Sequence, residues 1–181
     1  MLGAVKKEIN APLTSSMGRL FDAVSALLNL RLEANYEGQP AIELEMVADE
    51  SETDAYSFAS SFEDGKIIIN PEPVIAHIVE DLEHKEDISK ISARFHNAVC
   101  QMVISTCDLI AQDSGITQVG LSGGVFQNFW LLSKIKSGLE KKGFKVYTHH
   151  QVPANDGGIC LGQAIIGLRR MKDVLGSSDE G

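Results

Sequence analysis

Apolar residues recur at three- and four-residue spacing early in the chain, at Leu20, Phe21, Val24, Leu27 and Leu28, the stripe of an amphipathic helix. This helix is predicted to follow Pro12, pass through Gly18 and end near Leu30, with Thr14, Ser15 or Ser16 as its N-cap. Residues 1–10 read as a fraying start, Tyr36–Pro40 as a turn, and Ala41 to about Ala48 as a second helix. The pattern then shortens to strand length. Tyr56–Phe62 and Lys66–Asn70 flank Glu63-Asp64-Gly65, a hairpin signal. Pro71 and Pro73 open a helix over Val74–Leu82, where a missing proline N–H leaves no bond unmade. The acidic stretch Glu80–Asp87 ends it as a solvated loop. A long helix follows over Ile88–Ala111, with Ile91, Phe95, Val99, Met102, Val103, Cys107 and Ile110 on one broad stripe.

Beyond that helix the period changes again. Gln118–Leu121 reads as a strand, Ser122-Gly123-Gly124 as a tight turn and Phe126–Lys142 as a helix closed by Gly143. Phe144–Tyr147 is a second strand, Pro153–Gly158 a loop and Ile159–Met171 a last helix. A hairpin with helices, then a strand–helix–strand–helix unit, predicts an α/β layered fold. The expected organisation is a single domain over 1–181, with 172–181 as a disordered tail.

Composition changes this picture little. The chain has 181 residues, 44% hydrophobic and 23% charged, enough for one domain with its own core. The formal net charge of −9 repels phosphate backbones and argues against a nucleic-acid partner. It leaves a single nucleotide open, because backbone N–H groups bind phosphate whatever the net charge. No apolar run approaches the roughly 18 residues of a membrane span, and the start lacks the basic-then-apolar order of a secretion signal. No membrane association and a cytoplasmic location are therefore expected. Cys100, Cys107 and Cys160 show no Cys-x-x-Cys pairing and read as small buried hydrophobes in a reducing compartment.

Three segments carry candidate chemistry. In Leu121-Ser122-Gly123-Gly124-Val125-Phe126-Gln127-Asn128 a strand runs through paired glycines into a helix. Glycine permits positive φ and close ligand approach, and a helix start favours an anion. The turn is either a phosphate or ribose cradle or a corner shaped for packing. It matches neither Gly-x-Gly-x-x-Gly nor a Walker loop. Asn155-Asp156-Gly157-Gly158 repeats the arrangement before the last helix, with Asp156 as helix cap or as ligand to a divalent or ferrous metal. The third is Ser15-Ser16-Met17-Gly18-Arg19-Leu20-Phe21-Asp22. A glycine inside a helix costs about 1 kcal/mol against alanine, so Gly18 invites a packing or ligand reason. Asp22, on the same face, would accept bonds from ribose hydroxyls or pair locally with Arg19.

Together these segments resemble the HypF-type carbamoyltransferase family, the hydrogenase maturation proteins. The resemblance rests on Ala11–Val24 with Tyr36–Glu45, on Ala93-Arg94-Phe95-His96-Asn97, and on Leu121–Asn128 with Val152–Ala164. It covers nearly the whole chain. It implies the C-terminal subdomain of an actin/Hsp70/sugar-kinase-like (RNase H-like) domain, the Kae-like domain, with added helices and a hairpin. In that family carbamoyl phosphate and ATP give carbamoyl-adenylate, and the carbamoyl group passes to the C-terminal cysteine of HypE in cyanide-ligand synthesis for nickel–iron hydrogenases. By resemblance Gly123, Gly124 and Asn128 contact the nucleotide, ATP or carbamoyl-adenylate. Ser16, Gly18 and Asp22 meet its adenosine side, and Asp156 ligates a divalent metal: iron, zinc or magnesium. A HypE-like protein and the remaining HypF domains are the implied partners, and no catalytic residue is assigned.

The family's paired-histidine segment is not found here. His149 and His150 are adjacent and would point to opposite faces of an extended chain. His77 and His84 read as surface residues, and His96 as a buried, hydrogen-bonded histidine. The chain is expected to be a piece of a longer enzyme. Two other readings stand beside it. One is a non-catalytic nucleotide-binding or docking module. The other is a different carbamoyltransferase of the superfamily, such as an antibiotic O-carbamoyltransferase or a tRNA-modifying relative.

Overall fold

A computed structural model of the chain describes Lys7 and residues 12–176, with side chains described through Met171. The described residues fall into two compact units, divided between His96 and Asn97 inside the longest helix.

The first unit begins with α1, Met17–Leu27. Ser16 caps it, its hydroxyl accepting from the Arg19 N–H at 3.4 Å, so one of the three proposed caps is realised. The buried face carries Phe21 and Val24, and α1 packs on α2, Gln39–Met46. This second helix starts two residues earlier than its apolar pattern indicates, because Pro40 fits the first turn. Gln39 and Glu43 of α2 also fasten the preceding loop. Arg31 donates to Glu43 through Nε at 2.9 Å and Nη2 at 2.7 Å. Gln39 donates to Glu43 at 2.8 Å and accepts from the Asn35 N–H at 2.7 Å. Much of the Tyr36–Glu45 wording is thus scaffold.

The hairpin pairs β1, Ala59–Glu63, with β2, Lys66–Asn70, antiparallel, Glu63 opposite Lys66. Asp64 (φ 50°) and Gly65 (φ 74°) both take positive φ, the requirement of a two-residue primed turn. The strand expected from Tyr56 begins only at Ala59. Tyr56 is buried and its hydroxyl donates to Asp81 at 2.6 Å, so tertiary contacts claim it instead. Asp81 lies on α3, Glu72–Glu83, and also accepts from Arg94, which binds Glu52 at 3.1 Å and Asp81 at 3.0 Å. Arg94 sits on α4, Ile88–Ser114. The Ser92 hydroxyl donates to the Leu44 carbonyl at 2.6 Å, and Phe95 meets Phe21 edge-on at 4.8 Å.

The second unit holds the rest of α4, then β3 (Gln118–Leu121), α5 (Phe129–Lys141), β4 (Lys145–Thr148) and α6 (Ile159–Gly176). Strands β3 and β4 pair parallel, Leu121 opposite Thr148, with α5 as the crossover. Leu131, Ile135 and Leu139 recur every four residues and bury one face of α5. A side chain at Gly138 would collide with Ile104 of α4, so that glycine permits close helix approach. Gly143 (φ 88°) closes α5 as expected. The N–H of Gly143 bonds to the Glu140 carbonyl and that of Phe144 to the Leu139 carbonyl, with Leu139 and Phe144 both buried.

The chain is thus α/β, with one antiparallel and one parallel two-stranded sheet among the described residues. No described helix is long and apolar enough to cross a membrane. Helix α6 runs to Gly176, five residues into the stretch read as a tail, and 177–181 lie outside the described residues, as does the expected fraying start apart from Lys7. Cys100 is buried as expected and its thiol is pushed up to about 12 by burial. Cys107 is half-buried, and Cys160 is exposed rather than buried.

Candidate functional site

The C-terminal ends of parallel strands are where loops gather and ligands bind in α/β sheets. Here β3 leads into Ser122-Gly123-Gly124, and β4 into the segment that ends at Asn155-Asp156-Gly157-Gly158. The two loops meet. The Gly123 N–H donates to the Ala154 carbonyl at 2.8 Å. An ideal Cβ built on Gly124 would lie 4.0 Å from the Asn155 Cβ. Both glycine corners read from the sequence therefore occupy one place.

The first corner is open. Gly123 sits at φ 105° and ψ 159°, a backbone that essentially only glycine adopts. Among the described residues, nothing beyond its chain neighbours comes within 4 Å of a Cβ built there. Gly124 begins a 3₁₀ turn, Gly124–Gln127, and a true helix starts only at Phe129. The expected helix from Phe126 is delayed because Asn128 is its N-cap, Oδ1 accepting from the Leu131 N–H at 2.9 Å. An i→i+3 turn leaves its first N–H groups without an internal acceptor, here those of Gly124 and Val125. The oxygen of Asn128, expected at the nucleotide, is engaged in capping α5.

The second corner closes on itself. Asp156–Gly158 is a 3₁₀ turn leading into α6. Its cap is Asn155, whose Oδ1 accepts from the Gly157 N–H at 3.1 Å. The alternative of Asp156 as cap is therefore corrected: an Asx turn on the preceding residue takes that role. A Cβ on Gly158 would approach the Pro153 carbonyl oxygen to 2.9 Å, and one on Gly157 the Pro153 Cγ to 3.0 Å. The Asp156 carboxylate is exposed and has no hydrogen bond or ion pair among the described residues.

Sequence reasoning missed one pair at this place. His149 Nε2 lies 2.9 Å from Ser122 Oγ, while His150 Nε2 lies 3.2 Å from Thr148 Oγ1. The two histidines part company as their adjacency predicts. Only strand register reveals the His149–Ser122 pairing.

The remaining site residues, Ser16, Gly18 and Asp22, belong to the first unit. Ser16 is occupied as a cap. A Cβ on Gly18 would meet Ser16 Oγ at an ordinary 3.6 Å, so packing does not demand glycine there. Asp22 accepts from Arg19 at 3.0 Å, the local pair left open in the sequence. His96 is buried, its Nδ1 donating to the Ser92 carbonyl at 2.8 Å, and His77 and His84 are exposed.

Among the described residues no three of His, Cys, Asp and Glu come together to hold a metal. Asp156 alone offers one carboxylate, which does not make a complete metal centre.

The family model described as "Carbamoyltransferase, Kae1-like Domain, second subdomain" matches residues 1–163. Carbamoyltransferase HypF of Synechocystis sp. is 38% identical over 156 residues, 86% of this chain and 20% of that protein. The probable carbamoyltransferase HypF of Methanocaldococcus jannaschii is 33% identical over 161 residues, 89% of this chain and 21% of that protein. A crystal structure of full-length HypF in a phosphate- and nucleotide-bound form superposes with a TM-score of 0.88 at 43% identity, covering 94% of this chain and 22% of that one. The chain spans about a fifth of the length of these two curated relatives.

Proposed function

This chain belongs to the HypF carbamoyltransferases, as the second subdomain of their Kae1-like domain, and from that premise we propose that it is the nucleotide-binding portion of a carbamoyltransferase. The observation that carries the reading is the open first corner. Among the described residues a Cβ on Gly124 would touch nothing nearer than the Asn155 Cβ at 4.0 Å, beside turn N–H groups suited to a phosphate. The parallel β3–α5–β4 crossover supports the finer fold reading, the C-terminal subdomain of an actin/Hsp70/sugar-kinase-like architecture.

In this reading the donor is carbamoyl-adenylate, a mixed anhydride, and the acceptor is the C-terminal cysteine of a HypE-like protein in the cytoplasm. The thiolate sulfur attacks the carbamoyl carbon, a C–S bond forms, the C–O bond to phosphate breaks, and AMP leaves with the electron pair. The chain's contribution is to hold the departing phosphate. Gly123 and Gly124 allow the backbone to approach it, and the N–H groups of Gly124 and Val125 offset its charge. Taken by itself, the first unit offers Ser16, Gly18 and Asp22 as the residues that the family resemblance assigns to adenosine; Asp22 would exchange its Arg19 partner for ribose hydroxyls. Other HypF domains would supply the adenylate.

Calorimetric titration of ADP tests the reading, with Gly124→Val as the paired variant. The expected result is saturable heat that Gly124→Val weakens at least tenfold. Absence of heat at millimolar ADP would favour a docking module without a working nucleotide site.

A further inference from the structure

The β1–β2 hairpin is a two-stranded sheet. Two strands alone are marginally stable in water, and a third strand or a packed face normally completes them. Asp64-Gly65 is a two-residue turn, so Glu63 and Lys66 flank it as a hydrogen-bonded pair and the pairs alternate from there. Ser60 and Phe62 of β1 are therefore non-hydrogen-bonded positions, whose N–H and C=O groups point away from β2. Among the described residues those groups have no partner. Every residue of β1 is exposed, Phe62 to 75%, whereas Ile67 and Ile69 of β2 are half-buried. The freer edge is that of β1. Soluble proteins commonly blunt such an edge with lysine or proline, and Ala59–Glu63 contains neither.

We infer that the outer edge of β1 takes an extended segment of a partner protein as a third strand, and that this segment alternates apolar and basic residues. Backbone bonds to Ser60 and Phe62 give affinity without regard to sequence, and side chains decide what fits. A residue paired with Phe62 lies beside its ring, on the face that Phe62 shares with Ile67. An apolar side chain there covers surface that now meets water. The next residue points to the other face, beside Glu63. Among the described residues that carboxylate accepts only from the Ser61 hydroxyl, at 2.8 Å, so a lysine or arginine there supplies its missing cation. Residues 50–72 carry six acidic side chains against Lys66 alone, a field that draws a cationic segment and repels an anionic one. A second copy of this chain would bring two such acidic edges together, so the occupant is a different protein. This docking edge stands or falls independently of the nucleotide corner.

The test titrates a synthetic peptide, Lys-Val-Lys-Val-Lys-Val-Lys, into the unaltered chain by calorimetry, with Glu-Val-Glu-Val-Glu-Val-Glu as its counterpart and light scattering alongside. The lysine peptide is expected to bind saturably and to weaken as salt is raised, and the glutamate peptide to bind at least about tenfold more weakly. Ser60→Pro removes an outward N–H that β2 does not use, so the hairpin survives while the edge is blocked. It should weaken the lysine peptide about tenfold or more with an unchanged melting temperature. Phe62→Ala is expected to weaken it about fivefold, the scale of a lost aromatic cross-strand contact. A lysine peptide N-methylated at alternate amides cannot pair with an edge, and its failure to bind would support the inference without altering the chain. If the Ser60→Pro variant or the N-methylated peptide binds as well as its unaltered counterpart, the β1 edge is not the site. Equal binding of the lysine and glutamate peptides would overturn the basic partner. No heat from the lysine peptide at millimolar concentration, or a homodimer that Ser60→Pro dissociates, would overturn the inference as a whole.

Discussion

The two glycine corners look alike in sequence and differ in what their glycines are for. In Asn155-Asp156-Gly157-Gly158 the loop folds onto itself, and Pro153 fills the space a Cβ would take at either glycine. In Ser122-Gly123-Gly124 a Cβ would meet nothing within 4 Å at Gly123 and only the Asn155 Cβ, at 4.0 Å, at Gly124 among the described residues. Only Gly123 is bound by its own backbone, at φ 105°, while nothing internal forbids a side chain at Gly124. Polar groups follow the same division. Asn155 satisfies the Gly157 N–H of the second corner, whereas the leading N–H groups of the first have no acceptor within their turn. One corner is shaped by its own packing, the other leaves room for something else.

Substitutions should separate the two. Gly158→Ala is expected to have the largest effect on stability, because its Cβ meets a backbone oxygen at 2.9 Å that cannot rotate away. A loss of about 1–3 kcal/mol should appear as a melting temperature lower by several degrees. Next comes Asn155→Ala, which removes the side-chain acceptor for Gly157. Loss of such a cap costs about 1 kcal/mol, and denaturant unfolding with an unchanged m-value should register it. Asp156→Ala should move stability by less than about 0.5 kcal/mol, since its exposed carboxylate has no partner among the described residues. In the complete enzyme the same variant is expected to lose carbamoyl transfer, and full activity there would reduce Asp156 to a bystander.

The difference between the corners was only partly legible in the sequence. Local chemistry read correctly where it is decisive. Asp64-Gly65 marked the hairpin because both must adopt positive φ, and Gly143 marked the end of α5 for the same reason. Apolar periodicity found α1, α4 and the β3–α5–β4 unit. Errors came where a side chain or a distant contact overrides the pattern. Asn128 postpones α5 to Phe129 by capping it, and Tyr56 leaves the hairpin strand to reach Asp81, 25 positions away. The role of Asn155 is readable in principle, as an Asx residue two positions before Gly157. Ser122 and His149 are 27 positions apart, and their meeting depends on parallel register, which one-dimensional spacing does not encode. Nor does the sequence distinguish a glycine hemmed in by Pro153 from one facing open space.

The most direct test compares ADP affinity and thermal stability of Gly124→Ala with those of the unaltered chain. Gly124 lacks a positive φ and has an open Cβ position, so alanine should leave the melting temperature unchanged or slightly higher through a less mobile unfolded chain. The account predicts weaker ADP binding despite that undiminished stability. Unaltered ADP affinity together with a lowered melting temperature would contradict it, because Gly124 would then serve only the fold.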